Sequence, residues 1–212
     1  MPGDAYLEPA GPVEVREKIQ RSLFIARLEP CRDEAEARDF LNRVRAEHRD
    51  ATHNCWAYVI GTGTGNTTEN SSDDGEPSGT AGRPILGAIK RGGTVNTMII
   101  VTRYFGGVKL GVRGLIEAYG GTASRAVDEA ETVERVPTRP VTVRLPWGMV
   151  GDITHMLKAR AGGEDALCWN YDSPDGDVSV TAGVPVAQVD ALIGELEAFN
   201  ASSGYSLKIT VL

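Results

Sequence analysis

Pro137 and Pro140 stand where the character of the chain changes. Proline has no backbone donor and a fixed φ, so two within four residues punctuate a chain and read as a linker. Through Arg135 there are 17 Lys+Arg against 20 Asp+Glu, a net charge of −3; from Val136 there are 5 against 9, a net charge of −4. The 212 residues suffice for two domains of modest size. The seam predicts them at 1–135 and 136–212.

Beyond the seam, Val141, Val143 and Leu145 alternate with Thr142 and Arg144, as in a half-buried strand. Met149, Ile153, Met156 and Leu157 follow at helical spacing. Leu167, Trp169 and Tyr171 alternate again, and Asp175-Gly176 supplies a hairpin turn into Val178 and Val180. Val189, Leu192, Ile193, Leu196 and Phe199 mark a second helix, and Tyr205, Leu207, Ile209 and Val211 a last strand. The order βαββαβ predicts a ferredoxin-like domain.

Ahead of the seam, residues 22–28 read as a strand. Asp33 and Glu36 form a capping box before the apolar stripe Ala37, Phe40, Leu41 and Val44. Residues 53–60 read as a strand with Cys55, Ala57 and Val59 on its core face. Residues 61–78 are polar and read as a long loop. A short helix over 81–91, a strand over 97–102, a glycine-punctuated loop over 103–111 and a helix to about Ala130 complete this part. The fold class is α+β.

Formal charge of −7 excludes a wholly basic nucleic-acid binder but not a local basic face. The three cysteines, Cys31, Cys55 and Cys168, are too far apart in sequence for a zinc knuckle or redox pair and fit a reducing cytoplasm. No signal peptide or membrane-spanning run is visible, so a cytoplasmic chain without membrane contact is expected.

Glycine is in excess, at 25 residues or about 12%, where about 7% is usual. Four glycines punctuate Thr102-Arg103-Tyr104-Phe105-Gly106-Gly107-Val108-Lys109-Leu110-Gly111-Val112-Arg113-Gly114. Such a loop lets backbone N–H groups approach a ligand, and the start of the next helix favours an anion. Arg103, Gly106, Gly107, Lys109, Gly111 and Arg113 are candidate phosphate contacts, joined by Arg83, Lys90 and Arg91, because residues 83–113 hold these six basic side chains and no acidic one. The spacing fits neither a P-loop nor a dinucleotide fingerprint. A tight turn with solvated basic side chains explains the same residues equally well.

Asp73, Asp74 and Glu76 form an acidic loop suited to a partner, to a weakly held metal or to capping the helix near Ala81. Trp56 and Tyr58 share a strand face, and they and Tyr104 are candidate base-stacking residues, with packing the more frequent use of such a stripe. No cofactor pattern, metal-ligand spacing or catalytic constellation emerges.

Four blocks in order carry a family resemblance: Ser22-Leu23-Phe24-Ile25-Ala26, His53-Asn54-Cys55-Trp56-Ala57-Tyr58, Asp73 through Pro84, and Val101 through Gly111. Together they resemble the signature of the IMPACT/YigZ family. The resemblance implies an N-terminal domain like domain 2 of ribosomal protein S5 and a C-terminal domain like the ferredoxin-like domain of elongation factor G. It implies a role in regulating translation, which eukaryotic members exert by opposing a stress kinase through a further N-terminal domain. This chain shows no counterpart of that domain, so a bacterial ribosome or RNA context is expected. Val108 replaces the family's common Thr, and Arg113 a common Gly; both leave the glycine frame in place. The expected function is a non-enzymatic, translation-linked regulator that binds RNA or a ribosome-associated protein. The alternatives are a metal-dependent enzyme acting on a phosphorylated small molecule, with Asp74 and Glu76 on the metal, and a protein-interaction adaptor.

Overall fold

The computed structural model describes residues 5–61, 67–161, 167–171, 177–204 and 207–211. The elements run β1 (Tyr6–Pro9), β2 (Val13–Ile19), β3 (Ser22–Pro30), α1 (Glu34–Glu47), β4 (His53–Gly61), β5 (Thr67–Ser72), α2 (Gly82–Gly92), β6 (Thr97–Tyr104), α3 (Gly111–Glu129) and β7 (Thr132–Arg135). After these come β8 (Thr138–Leu145), a 3-10 turn (Trp147–Met149), α4 (Val150–Lys158), β9 (Leu167–Asn170), β10 (Val178–Pro185), α5 (Val186–Ser203) and β11 (Lys208–Val211). They divide into two units, Asp4–Arg135 and Val136–Leu212.

In the N-terminal unit, β4 and β6 are apolar on both faces. Cys55, Ala57, Val59, Ile99 and Val101 enter one core with α2 and α3, while Tyr58, Ile60, Met98 and Ile100 enter another with α1. A strand buried on both faces belongs inside a sheet covered on both sides. Both are interior strands of an antiparallel sheet of order β2-β3-β6-β4-β5. α1 starts at the expected cap: Asp33 accepts from the Glu36 N–H at 2.8 Å, and its buried stripe is Ala37, Phe40, Leu41 and Val44. The expected loop over 61–78 is partly a strand. Thr67–Ser72 pairs with β4 as β5, an edge strand too polar to show an apolar alternation.

β1 and β7 pair antiparallel outside the main sheet, and Glu8 fastens them. Only 2% of Glu8 is exposed, and it accepts from Arg135 at 2.8 Å, Arg32 at 3.1 Å and Asn96 at 3.1 Å. Burial raises the affinity of this carboxyl for a proton, but hydrogen bonds from Arg135, Asn96 and Arg32 outweigh it and hold the group below its ordinary value of 4.5. A depressed folded-state value stabilises fully above the unfolded value, and that contribution is lost as pH falls through the folded one. The urea midpoint of the N-terminal unit is therefore expected to decline as pH is lowered past 4.5. In Glu8→Gln the decline should be shallower; an identical pH profile would show that Glu8 does not drive it.

The C-terminal unit has sheet order β11-β8-β10-β9, all antiparallel, with α4 and α5 packed over Val141, Val143, Leu145, Val180 and Ala182. This is the ferredoxin-like pattern. Pro140 lies inside β8 rather than in a linker, one residue ahead of the stretch that pairs with β11. The Asp175-Gly176 turn and Tyr205 fall outside the described residues. No described helix is long and apolar enough to cross a membrane.

Candidate functional site

β6 delivers Arg103 and Tyr104 to opposite faces of the sheet and then leaves it through Phe105-Gly106-Gly107-Val108-Lys109-Leu110. Two glycines have specific geometric work in this loop. Gly106 lies against the β2–β3 turn, so close that a Cβ would stand 2.1 Å from the Arg21 carbonyl carbon and oxygen. Its N–H donates to Ser22 Oγ at 3.2 Å. Gly107 has φ +85°, a conformation that side chains with a Cβ disfavour. No side chain caps the start of α3, whose first turn contains no acidic residue. Free N–H groups and the helix dipole there favour an anion.

Beneath the loop lies a buried charged floor. Arg103, 5% exposed, donates through Nη1 to Glu76 Oε1 at 2.5 Å. Tyr119 donates to the same oxygen at 2.7 Å, and His53 Nε2 stands 3.9 Å from it. The guanidinium sits 5.4 Å from the ring centres of both Phe24 and Phe105, and its Nε has no hydrogen-bond partner among the described residues. Above the floor opens a cleft of about 410 Å³, walled by Phe105, Leu110, Val112 and Leu115 and edged by Lys109.

The acidic loop is committed to the protein itself. Asp73 accepts from the N–H groups of Gly79, Ala81 and Gly82 at 2.8–2.9 Å, which anchors the start of α2 from outside the helix. Burial pushes its pKa up, yet those three N–H groups pull it below the ordinary value. Asp74 accepts from the Asn54 N–H and from Arg45, both at 2.6 Å. Among the described residues no group of three or more His, Cys, Asp or Glu side chains is placed to hold a metal. Cys55 donates to the Asp73 carbonyl at 3.0 Å, and burial pushes its pKa up to about 12, so it stays a thiol.

Space divides the six basic residues. α2 and α3 run side by side in the same direction, with Gly120 beside Pro84 and Gly92 against Val127. Lys90 and Arg91 therefore sit at the far end of the pair, bound to Glu69 at 2.9 Å and to Ser124 at 3.0 Å. Arg113 pairs with Glu117 at 2.9 Å, while Arg83 is exposed in the first turn of α2. Arg103, Lys109 and Gly111 line the cleft, whereas Gly106 and Gly107 belong to the loop between Phe105 and Lys109 without lining it. Lys109 is exposed and forms no ion pair with a described residue.

The three candidate stacking residues lie elsewhere. Tyr58 is buried against the α1 core and donates to Glu34 at 2.9 Å, and Trp56 stacks on it at 5.7 Å. Their contacts pack the α1 side of the sheet. Tyr104 bonds His48 at 2.8 Å, also away from the cleft. The aromatic at the cleft is Phe105, 46% exposed, which the residue-type reading passed over. Its position next to the Gly106-Gly107 pair was the available signal.

Residues 20–127 match the family described as the Impact N-terminal domain. The chain is 34% identical over 200 residues to IMPACT family member YigZ of Escherichia coli (strain K12), covering 94% of this chain and 96% of that protein. It is 41% identical over 140 residues to IMPACT family member YvyE of Bacillus subtilis (strain 168), covering 66% of this chain and 64% of that one. A crystal structure described as that of a hypothetical protein superposes with a TM-score of 0.75 at 33% identity, covering 97% of this chain and 96% of the other.

Proposed function

The chain belongs to the IMPACT family, and from that membership we propose that it is a non-enzymatic regulator linked to translation which binds RNA through the cleft ahead of α3. The carrying observation is the conjunction of a helix start without a side-chain cap, an exposed Lys109 with no ion pair among the described residues and the Arg103 floor at one opening. Helix N-termini and basic side chains are the groups that hold nucleic-acid phosphates in register. The C-terminal unit, at a net −4, is suited to a protein surface instead.

Ribosome co-sedimentation from a lysate, at low and high salt, tests the proposal. Each neutralised phosphate contributes about 0.7–0.9 to the slope of log affinity against log salt. Lys109→Ala should reduce that slope by about one such contact. Binding that ignores salt, or protein that stays at the top of every gradient, would overturn RNA binding at this site. A protein partner is the second reading, favoured by Val112 and Ile116, 61% and 41% exposed on the first turns of α3. Its complex would survive nuclease.

A further inference from the structure

We infer that the cleft receives one unpaired nucleotide, with its base against Phe105 and its phosphate at the start of α3. This rests on the RNA reading and narrows it from a phosphate-binding surface to a single-stranded ligand with a base turned out.

Three features carry the inference. First, the cleft is apolar where a duplex-backbone site would have no use for it. Its volume of about 410 Å³ lies within the range of roughly 300–1,000 Å³ typical of small-ligand pockets. Phe105, Leu110, Val112 and Leu115 wall it, with Lys109 at the edge. That is the make-up of a site for a flat apolar ring that carries an anion. Bases in a double helix are stacked inside and cannot enter such a space, whereas single strands can splay a base onto an aromatic ring.

Second, Phe105 is held as a platform. The Arg103 guanidinium lies 5.4 Å from its ring centre and the same distance from Phe24 behind it. The ring is thus steadied from beneath, and 46% of the residue remains open to a ligand.

Third, Arg103 has a buried N–H with no acceptor. The residue is 5% exposed, it lines the cleft, and its Nε has no partner among the described residues. Buried donors are rarely left unsatisfied without a reason. A carbonyl oxygen of a base, or a phosphate oxygen, is the kind of acceptor the site lacks. Glu76 also lines the cleft, and its bonds to Arg103 and Tyr119 both fall on Oε1. Donor and acceptor thus belong to two hydrogen-bonded residues of the cleft lining.

The test is fluorescence anisotropy of the full chain with a labelled single-stranded RNA oligonucleotide and with the duplex of the same sequence. The single strand should bind more tightly. Phe105→Ala should weaken its binding by about tenfold or more, as expected for loss of one stacking contact, with the salt slope unchanged. Phe105→Tyr should restore the affinity, and because Phe105 is an exposed residue, both variants are expected to keep the circular dichroism of the parent. Equal affinity for the duplex, or a loss in Phe105→Ala of less than about twofold, overturns the inference and leaves RNA binding standing. Binding to neither RNA overturns the RNA reading itself.

Discussion

Glu76→Gln is expected to destabilise the N-terminal unit by about 3–5 kcal/mol, the range for removing one partner of a buried ion pair. Only 4% of the Glu76 side chain and 6% of the Arg103 side chain are exposed. Glutamine keeps the shape and an acceptor for Tyr119 but not the charge, and arginine cannot lose its proton to compensate. The two flanking rings return only part of the lost stabilisation through cation–π attraction. Comparison with other pairs sets the scale. Around Glu8, the Arg32 and Arg135 side chains are 62% and 51% exposed, so both can be rehydrated if the carboxylate is removed. The Arg113–Glu117 pair is 92% and 63% exposed, so water already solvates both charges and the pair adds little. Adding Arg103→Met to Glu76→Gln should recover part of the loss, because the stranded charge then disappears. Urea unfolding followed on Trp56, with Trp147 and Trp169 replaced by Phe, reports the N-terminal unit alone. A midpoint unchanged by Glu76→Gln would mean that the guanidinium finds water in the cleft.

Gly106→Ala is expected to cost about 3 kcal/mol or more, at the upper end of what overpacking does. The added methyl would stand 2.1 Å from the Arg21 carbonyl carbon and oxygen and 2.6 Å from the Ser22 nitrogen. These are backbone atoms of a tight turn in which Gln20 and Arg21 already hold φ of +42° and +69°, so no rotamer change relieves the overlap. Either the turn moves or the loop does. Both would break the bond from the Gly106 N–H to Ser22 Oγ that ties the loop to β3. Gly107→Ala is the control: nothing lies within 4 Å of its added methyl, and only the φ of +85° opposes it, at about 1–2 kcal/mol. The same urea measurement ranks the two. Equal losses would show that the loop yields freely at Gly106.

Elements with an apolar rhythm were legible in the sequence. Asp33 and the Ala37-Phe40-Leu41-Val44 stripe mark α1, the Cys55-Ala57-Val59 alternation marks a core face, and the βαββαβ order of the C-terminal unit appears in its sheet order. β2 carries a pattern as well, Val13, Val15 and Ile19 against Glu14, Arg16 and Lys18, though it was passed over. β5 carries none. Thr-Thr-Glu-Asn-Ser-Ser is a strand because the edge of β4 offers it backbone partners from Trp56↔Ser72 to Gly61↔Thr67, and pairing of that kind is decided by the neighbour.

The candidate site was legible in part for a related reason. The window 83–113 contains no acid, but folding brings Glu69, Glu76 and Glu117 to Lys90, Arg103 and Arg113 from outside it. Charge counted along a chain does not reveal charge met in space. Phe105 stands inside the glycine motif without polar chemistry to draw notice, and its place in a cleft comes from α3, which supplies Val112 and Leu115 to the same lining.

The β1–β7 ribbon gives the N-terminal unit the character of a cassette. Tyr6 stands opposite Arg135 and Pro9 opposite Thr132, so the chain enters and leaves through adjacent strands. Bringing together ends that already touch requires little loop-closure entropy. Such a unit can be spliced into a host protein, or reopened at a surface turn with its old ends sealed, while its cleft and both cores stay intact.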